Sequence, residues 1–277
     1  MLETLNGYPV NVEEFNTDGE RFIVLLHGFG ASTFSWRTVT KELSQLGHVF
    51  AYDRPGFGYT PAVERSRHSD PYSLEGQVEL LGDIIYAKAN GRPVIVVGHS
   101  AGALVATEFV LRNPSVVSAL VLESPAVWRT PPVPGWLGKT LRAPRLEKRG
   151  EKLLEGFATS GMKILTSSFY DSDKLTDEVI AGYTAPMQNN SWKISLWRFM
   201  TASQKNQVRD NLWRIDIPTF VITGDHDKIV KVEDTFKVAE RILGHSIYLV
   251  PNSGHLAHEE TPEDFLRVTK RFIEKNT

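Results

Sequence analysis

The run Val94-Ile95-Val96-Val97, followed at once by Gly98-His99-Ser100-Ala101-Gly102 and then Ala103, Leu104, Val105 and Ala106, constrains this chain more than any other stretch. Four consecutive apolar, β-branched residues suit a strand buried on both faces. The small residues after Ser100 suit a helix that starts without an intervening loop and packs tightly. Strand, sharp turn and helix leave a serine at the apex, in strained backbone that is tolerable only if Gly98 and Gly102 carry no Cβ to meet the neighbouring strand and helix. Its Oγ would then stand outside the carboxyl end of a sheet. A bare Gly-x-Ser-x-Gly arises by chance in on the order of one chain in ten of this size, so the setting carries the argument and the pentapeptide does not.

The remainder of the chain alternates strand-like and helix-like patterns. Val10 and Val12 share one face of a segment running to Phe15, and Asp18-Gly19 offers a turn into Phe22-Ile23-Val24-Leu25-Leu26, which predicts an antiparallel edge pair leading into a buried sheet. Phe34, Val39, Leu43 and Leu46 lie near helical spacing, with a short strand from His48 to Tyr52 behind them. A helix capped by Ser73 runs through Leu74, Val78, Leu81 and Ile85. After the elbow helix, to about Arg112, comes a strand at Ala119-Leu120-Val121-Leu122. The alternation resumes at 217–223, with a helix near Val232 to Leu243 and a strand from Ser246 to Val250. Thr261-Pro262-Glu263-Asp264 marks the last helix with an N-cap, a proline at the first position and acids in the first turn. Such alternation argues for a mostly parallel sheet covered on both faces.

Four signatures in order, each after a strand-like run, resemble the α/β-hydrolase superfamily over nearly the whole chain: His27-Gly28-Phe29-Gly30, Asp53-Arg54-Pro55-Gly56-Phe57-Gly58, the serine elbow, and Gly224-Asp225-His226-Asp227 with Ser253-Gly254-His255. The resemblance implies an α/β fold with a mostly parallel central sheet flanked by helices and an inserted helical cap. The alternation lapses where that family inserts a lid, so residues 1–125 and 203–277 are read as the core and 126–202 as the lid. The lid opens on Pro131-Pro132-Val133-Pro134-Gly135. Its aromatics, Trp128, Trp136, Phe157, Phe169, Tyr170, Trp192, Trp197 and Phe199, are expected to be mostly lid core, with some lining an apolar pocket. Lys139, Arg142, Arg145, Lys148, Arg149 and Lys152 read as a solvated helix face, or as an approach surface for acidic substrates or anionic lipid.

Acyl attack by Ser100 needs a base, since a free hydroxyl is almost wholly protonated at neutral pH. His255, in a glycine-containing loop after a strand, is the candidate, and that glycine would let the loop swing the imidazole over the sheet edge. The resemblance implies Asp227 as the carboxylate that fixes the imidazole's tautomer, with Asp225 capping a turn. Glu123, directly after the preceding strand, is its rival. His258 reads as a packed or capping histidine. A tetrahedral intermediate needs two donors at its oxyanion, which the resemblance places at the backbone N–H groups of Ala101 and Phe29, with His27 holding the loop. The 53–58 turn lacks the lysine and hydroxyl of a phosphate-binding loop and reads as support for the sheet's mouth.

A serine rather than an aspartate at the elbow argues against the dehalogenase and epoxide-hydrolase branches. The expected activity is hydrolysis of a small or medium apolar carboxylic ester through an acyl-enzyme. Carbon–carbon bond hydrolysis of ring-cleavage products, lactone hydrolysis, perhydrolysis and a small-molecule receptor role remain the alternatives. The histidines and Glu259 do not form His-Glu-x-x-His and the chain has no cysteine, so neither a metal nor an organic cofactor is expected, and no disulfide can form. A net charge of −2 gives no electrostatic reason for nucleic-acid binding. The first residues lack a basic region followed by an apolar core, and no apolar run approaches the ~20 residues of a bilayer span. A cytoplasmic protein without stable membrane insertion is therefore expected, of unassigned oligomeric state.

Overall fold

Period-two alternation along each strand builds two core layers, one on either face of a single sheet. In this computed structural model, which describes residues 1–65, 70–128, 133, 135–154, 157–189 and 191–277, the strands are β1 (Leu2–Leu5), β2 (Tyr8–Phe15), β3 (Phe22–Leu26), β4 (His48–Tyr52), β5 (Val94–His99), β6 (Ala119–Glu123), β7 (Thr219–Gly224) and β8 (Ser246–Val250). Their order is β1-β2-β4-β3-β5-β6-β7-β8. From β4 across to β8 every pair is parallel, while β2 runs antiparallel to both β1 and β4. The helices are α1 (Thr40–Leu43), α2 (Leu74–Lys88), α3 (Ala101–Arg112), α4 (Gly135–Leu141), α5 (Pro144–Leu153), α6 (Phe157–Ser168), α7 (Asp177–Thr184), α8 (Trp192–Thr201), α9 (Val208–Asn211), α10 (Val232–Ala239), α11 (Ala257–Glu260) and α12 (Pro262–Asn276).

Val24, Leu26, Val96, Leu120, Leu122 and Val221 face α2, α3 and α10. Their neighbours Ile23, Leu25, Ile95, Val97, Val121 and Ile222 face Leu43 of α1 and Phe265 and Ile273 of α12. Each such side chain, fully withdrawn from water, contributes ~1.5–3 kcal/mol of hydrophobic stabilisation. Burial on both faces explains why β3 and β5 read as unbroken apolar runs.

The chain leaves β3 to one side for β4 and returns on the other for β5, so the strand order reverses between β3 and β5. Crevices at such a reversal, outside the carboxyl ends of the strands, are where open α/β sheets bind ligands. His27 follows β3 and Ser100 follows β5, one on each side of the reversal.

Three local expectations need correction. The strand 8–15 does not pair with 22–26; it forms a hairpin with the unforeseen β1 and lies against β4. Between 33 and 46 there is no continuous helix: a 3₁₀ turn at Thr33–Trp36 precedes the short α1. Tertiary contacts bend that segment, since the Thr33 N–H donates to Asp53 Oδ1 at 2.6 Å and Trp36 packs on His258 with ring centroids 4.3 Å apart. Thr261 occupies the cap position of α12 but makes no side-chain cap, because its hydroxyl donates to the Ala257 carbonyl instead. Ser73 does cap α2, accepting from the Gly76 N–H at 3.1 Å.

Helices α4 to α8 fall between β6 and β7, with no strand among the described residues of that segment, here termed the cap. Residues 131, 132 and 134 of the proline-rich run, and the side chains of Trp136 and Phe157, lie outside the described residues. Buried Arg198 of α8 clamps the cap to the core, bonding to Glu147 on α5, Glu64 and the Val63 carbonyl. Lys139, Arg145, Lys148, Arg149 and Lys152 are exposed, whereas Arg142 pairs with Asp70 at 3.2 Å. Among the described residues no helix is long and apolar enough to cross a membrane.

Candidate active site

Ser100 adopts φ 52° and ψ −113°, a conformation that costs a non-glycine residue ~1–3 kcal/mol and persists only where surroundings over-determine it. They do so here. Its N–H donates to the Glu123 carbonyl at 2.8 Å, and its own carbonyl accepts from Ala126 at 3.2 Å. A Cβ on Gly98 would stand 2.6 Å from Ala103 Cα in α3, and one on Gly102 would stand 2.3 Å from the Leu26 carbonyl oxygen of β3. Both glycines are thus required by close approach, one against the helix and one against the strand.

His255 directs Nδ1 at Asp227 Oδ2, 2.8 Å away. The other carboxylate oxygen accepts from the N–H groups of Ile229 and Val230 at 2.8 and 2.9 Å. Burial pushes the Asp227 carboxyl up, but its bond to His255, that imidazole's charge, the Val230 amide and the Ser124 hydroxyl together hold it below the usual carboxylate range. Ser124 is a second strained residue, at φ 44°, at the end of β6. Asp225, two residues before Asp227, accepts from the Ser253 N–H and so ties the two loops together. His99 donates Nε2–H to the His255 carbonyl at 3.0 Å. Burial, then the neighbouring His255 and His258, push the His99 pKa well down, so that it stays neutral.

The rival carboxylate sits elsewhere. Glu123, fully buried, accepts from the backbone N–H of His258 at 3.0 Å and lies 2.7 Å from its Nδ1, off the hydrogen-bonding direction. The structure therefore brings Asp227, and not Glu123, to His255.

On the other side of Ser100, the 27–30 loop is anchored from beneath. His27 Nδ1–H donates to the Gly28 carbonyl at 2.8 Å, leaving Nε2 to accept from the Arg54 N–H at 3.0 Å. Burial, reinforced by the Arg54 charge, pushes the His27 pKa well down, consistent with that neutral tautomer. Arg54 Nε in turn donates to the His27 carbonyl at 2.9 Å. Gly28 has no room for a side chain, since a Cβ would meet His99 Nδ1 at 2.7 Å, and Gly30 takes φ +75°. The 53–58 turn acts as support: Asp53 accepts from Thr33, Tyr59 and Asn11.

Ser100, His255 and Phe29 border one cavity of about 200 Å³, to which the cap contributes Met162 and Leu165 of α6 and Met187. None of the described residues lining it is an aspartate, glutamate, lysine or arginine. Ala101 opens α3 beside it, and the first N–H groups of a helix have no partner within the helix and carry its positive end. Among the described residues no cluster of three or more His, Cys, Asp or Glu side chains is placed to hold a metal.

A profile of the alpha/beta hydrolase family matches residues 23–268. The chain belongs to that family. It is 26% identical over 260 residues to the uncharacterized hydrolase YugF of Bacillus subtilis (strain 168), covering 94% of this chain and 92% of that protein. It is 28% identical over 272 residues to a 2-hydroxy-6-oxononadienedioate/2-hydroxy-6-oxononatrienedioate hydrolase of Pseudomonas putida, covering 93% and 89%. Among solved structures, a thermophilic esterase from Thermogutta terrifontis superposes with a TM-score of 0.79 at 20% identity, covering 100% of this chain and 99% of that one.

In this hydrolase the aromatic side chains expected from the cap mostly serve packing. Phe169 lies in a small buried cluster, Tyr170 stacks on His226, and Phe199 packs on Phe57 and Phe29. Trp192 lines a second cavity that shares Gly30, Ala31, Tyr183 and Met187 with the first. Tyr183, absent from the sequence reading, faces both, with its hydroxyl on Glu259. Its only sequence signal is an aromatic at the end of a capped helix, which does not distinguish it from its neighbours. Gly254 also differs from expectation: a Cβ there would meet the Ser168 carbonyl at 2.3 Å, so close contact with the cap, rather than freedom to swing, calls for glycine.

Proposed function

We propose that this protein is a serine hydrolase acting on neutral, apolar carboxylic esters through an acyl-enzyme, with Ser100 as nucleophile, His255 as base and Asp227 as its orienting carboxylate. The observation that carries the reading is the shared cavity: the strained Ser100 and the Asp227-bound His255 open into the same apolar space. With Nδ1 committed to Asp227, only Nε2 of His255 is left to take the Ser100 proton. Ser100 Oγ attacks the acyl carbon as that proton passes to Nε2, and the carbonyl π pair moves onto oxygen. The backbone N–H groups of Ala101 and Phe29 receive that oxyanion. The intermediate collapses with release of the alkoxide, which takes the proton from His255. Water then repeats the sequence against the acyl-enzyme, freeing the acid and Ser100.

The uncharged lining favours an ester over a ring-cleavage product. The dienedioate substrate in the name of the Pseudomonas relative carries carboxylates, and burying a carboxylate without a cation costs several kcal/mol. Carbon–carbon bond hydrolysis is the second reading, on the strength of that relative. A panel of p-nitrophenyl esters of increasing acyl length, with fluorophosphonate labelling of Ser100 and a 2-hydroxy-6-oxo-dienoate as competitor, tests both. Turnover of neutral esters with stoichiometric labelling is the expected result. Faster turnover of the dienoate than of any ester, or single slow labelling without turnover, would overturn the ester assignment in favour of the second reading or of a receptor.

A further inference from the structure

The loop that carries His255 is held by the cap as much as by the sheet. The His255 N–H donates to the Ser168 carbonyl at the end of α6, at 2.7 Å. Gly254 lies so close to the same turn that a Cβ would come within 2.8 Å of the Tyr170 nitrogen. Glu260, at the end of α11 and 1% exposed, spans the junction: Oε1 accepts from the Asp171 N–H of the cap at 2.6 Å, and Oε2 accepts from the Gly254 N–H at 2.7 Å. A single carboxylate thus joins the cap backbone to the residue immediately before His255. Its neighbour Glu259 makes a second tie, accepting from the Tyr183 hydroxyl of α7 while pairing with Arg37.

A carboxylate suits this place because both partners are donors. An ionised carboxyl offers acceptors on both oxygens, and hydrogen bonds to it are shorter and stronger than neutral ones. We propose that Glu260 is a positioning residue that straps the His255 loop to the cap, so that the seated cap helps set the imidazole against Ser100. The proposal rests on the serine-hydrolase reading above. It assigns Glu260 no proton to transfer and no contact with substrate.

Glu260→Gln keeps the shape but turns one acceptor into an NH₂ group facing a backbone N–H, which opens the strap at one end. Small misplacements of a catalytic group cost up to about 10²-fold in rate. For a short p-nitrophenyl ester the expected result is a kcat lower by about 10–100-fold, with KM little changed and fluorophosphonate inactivation slowed in parallel. The downfield Nδ1–H resonance of His255, assigned by its absence in Asp227→Asn, should shift or broaden. Arg142→Gln, which frees a cap contact remote from His255, should leave kcat near wild type. Wild-type kcat in Glu260→Gln, or an equal loss in Arg142→Gln, would overturn the assignment. Amide hydrogen exchange on the wild-type enzyme gives a test independent of any variant's folding: the Asp171 and Gly254 amides should be protected together, and free exchange at Asp171 would refute the strap. Failure of the wild type to label or turn over would instead defeat the serine-hydrolase reading, leaving the exchange result to stand for itself.

Discussion

Two carboxylate–histidine pairs lie side by side in this molecule, and one is the likeness of the other in composition but not in setting. Asp227, in the loop after β7, with His255, and Glu123, the last residue of β6, with His258 each join an acid to an imidazole in the 253–261 segment, at 2.8 and 2.7 Å. His255 borders the cavity beside Ser100; the His258 side chain is sealed, with Trp36 on one side and Phe265 on another. Neutral His99 stands between them, its ring 4.6 Å from His255 and 5.1 Å from His258. A histidine beside an acid is therefore not in itself a catalytic feature. Access to a reacting atom, and alignment of the imidazole N–H with the acid, separate the two pairs, and the predictions that follow act on that separation.

The largest expected effect is at Ser100, the proposed nucleophile, which shares its cavity with the open pair and not with the sealed one. Ser100→Ala should lower kcat by on the order of 10⁴-fold or more and abolish fluorophosphonate labelling. Its circular dichroism spectrum should match the wild type, since the substitution removes one oxygen and fills no space. Retention of a tenth of wild-type turnover would place the nucleophile elsewhere.

Next is the open acid. Asp227→Asn should lower kcat by about 10³–10⁴-fold near neutral pH, because an amide can select the wrong imidazole tautomer and cannot balance the imidazolium. The same variant has a signature in stability. The folded carboxyl of Asp227 is depressed relative to the unfolded one, so its contribution is present above the unfolded value of about 3.9 and is lost as pH falls through the lower folded value. Thermal melting from pH 5 downward should accordingly show a shallower acid decline in Asp227→Asn than in the wild type. An equally steep decline would mean that Asp227 is not held ionised by His255.

Features dictated by local pattern were legible in the sequence, and those set by non-local contact were not. The elbow is a run of consecutive residues whose glycine spacing follows from Cβ clearance, and the structure places a strand, Ser100 at positive φ and a helix there. The parallel strands β3 to β7 lie within two residues of their expected places, because burial on both faces leaves an uninterrupted signal, whereas β8 is a half-exposed edge strand. The pairing of β2 with β4 rather than β3 was hidden, since the turn residues at Asp18-Gly19 fit a hairpin equally well and the partner strand is some 35 residues further on. Glu260 was equally hidden: nothing in Glu259-Glu260 says which carboxylate reaches backbone across the cap and which binds Tyr183. Among the described residues the cap's cavity lining falls on Met162, Leu165, Met187 and Tyr183 instead of the aromatics singled out in the sequence, because helix rotation, which the weak periodicity of that region does not define, decides which side chains turn inward.

The smallest expected effect on activity is at the sealed acid. Glu123→Gln is the same chemical change as Asp227→Asn, an acid replaced by its amide with shape preserved, yet kcat should fall by no more than about tenfold. The His258 side chain is fully buried and does not line the Ser100 cavity, so if the new amide donates to its Nδ1 the resulting change of tautomer should have no consequence for turnover. The Glu123 oxygen that accepts from the His258 N–H survives as the amide carbonyl. What changes is the buried oxygen 2.7 Å from His258 Nδ1, which becomes an NH₂ group; a buried polar group left unsatisfied costs about 1–3 kcal/mol, visible as a melting temperature several degrees lower with kcat little altered. The double variant Asp227→Asn, Glu123→Gln should show the product of the two single losses. A loss well beyond that product would show that Glu123 partly replaces Asp227 when the latter is disabled, since only sites that share a partner depart from additivity to that extent. An inactive Glu123→Gln beside a near-normal Asp227→Asn would exchange the roles of the two pairs.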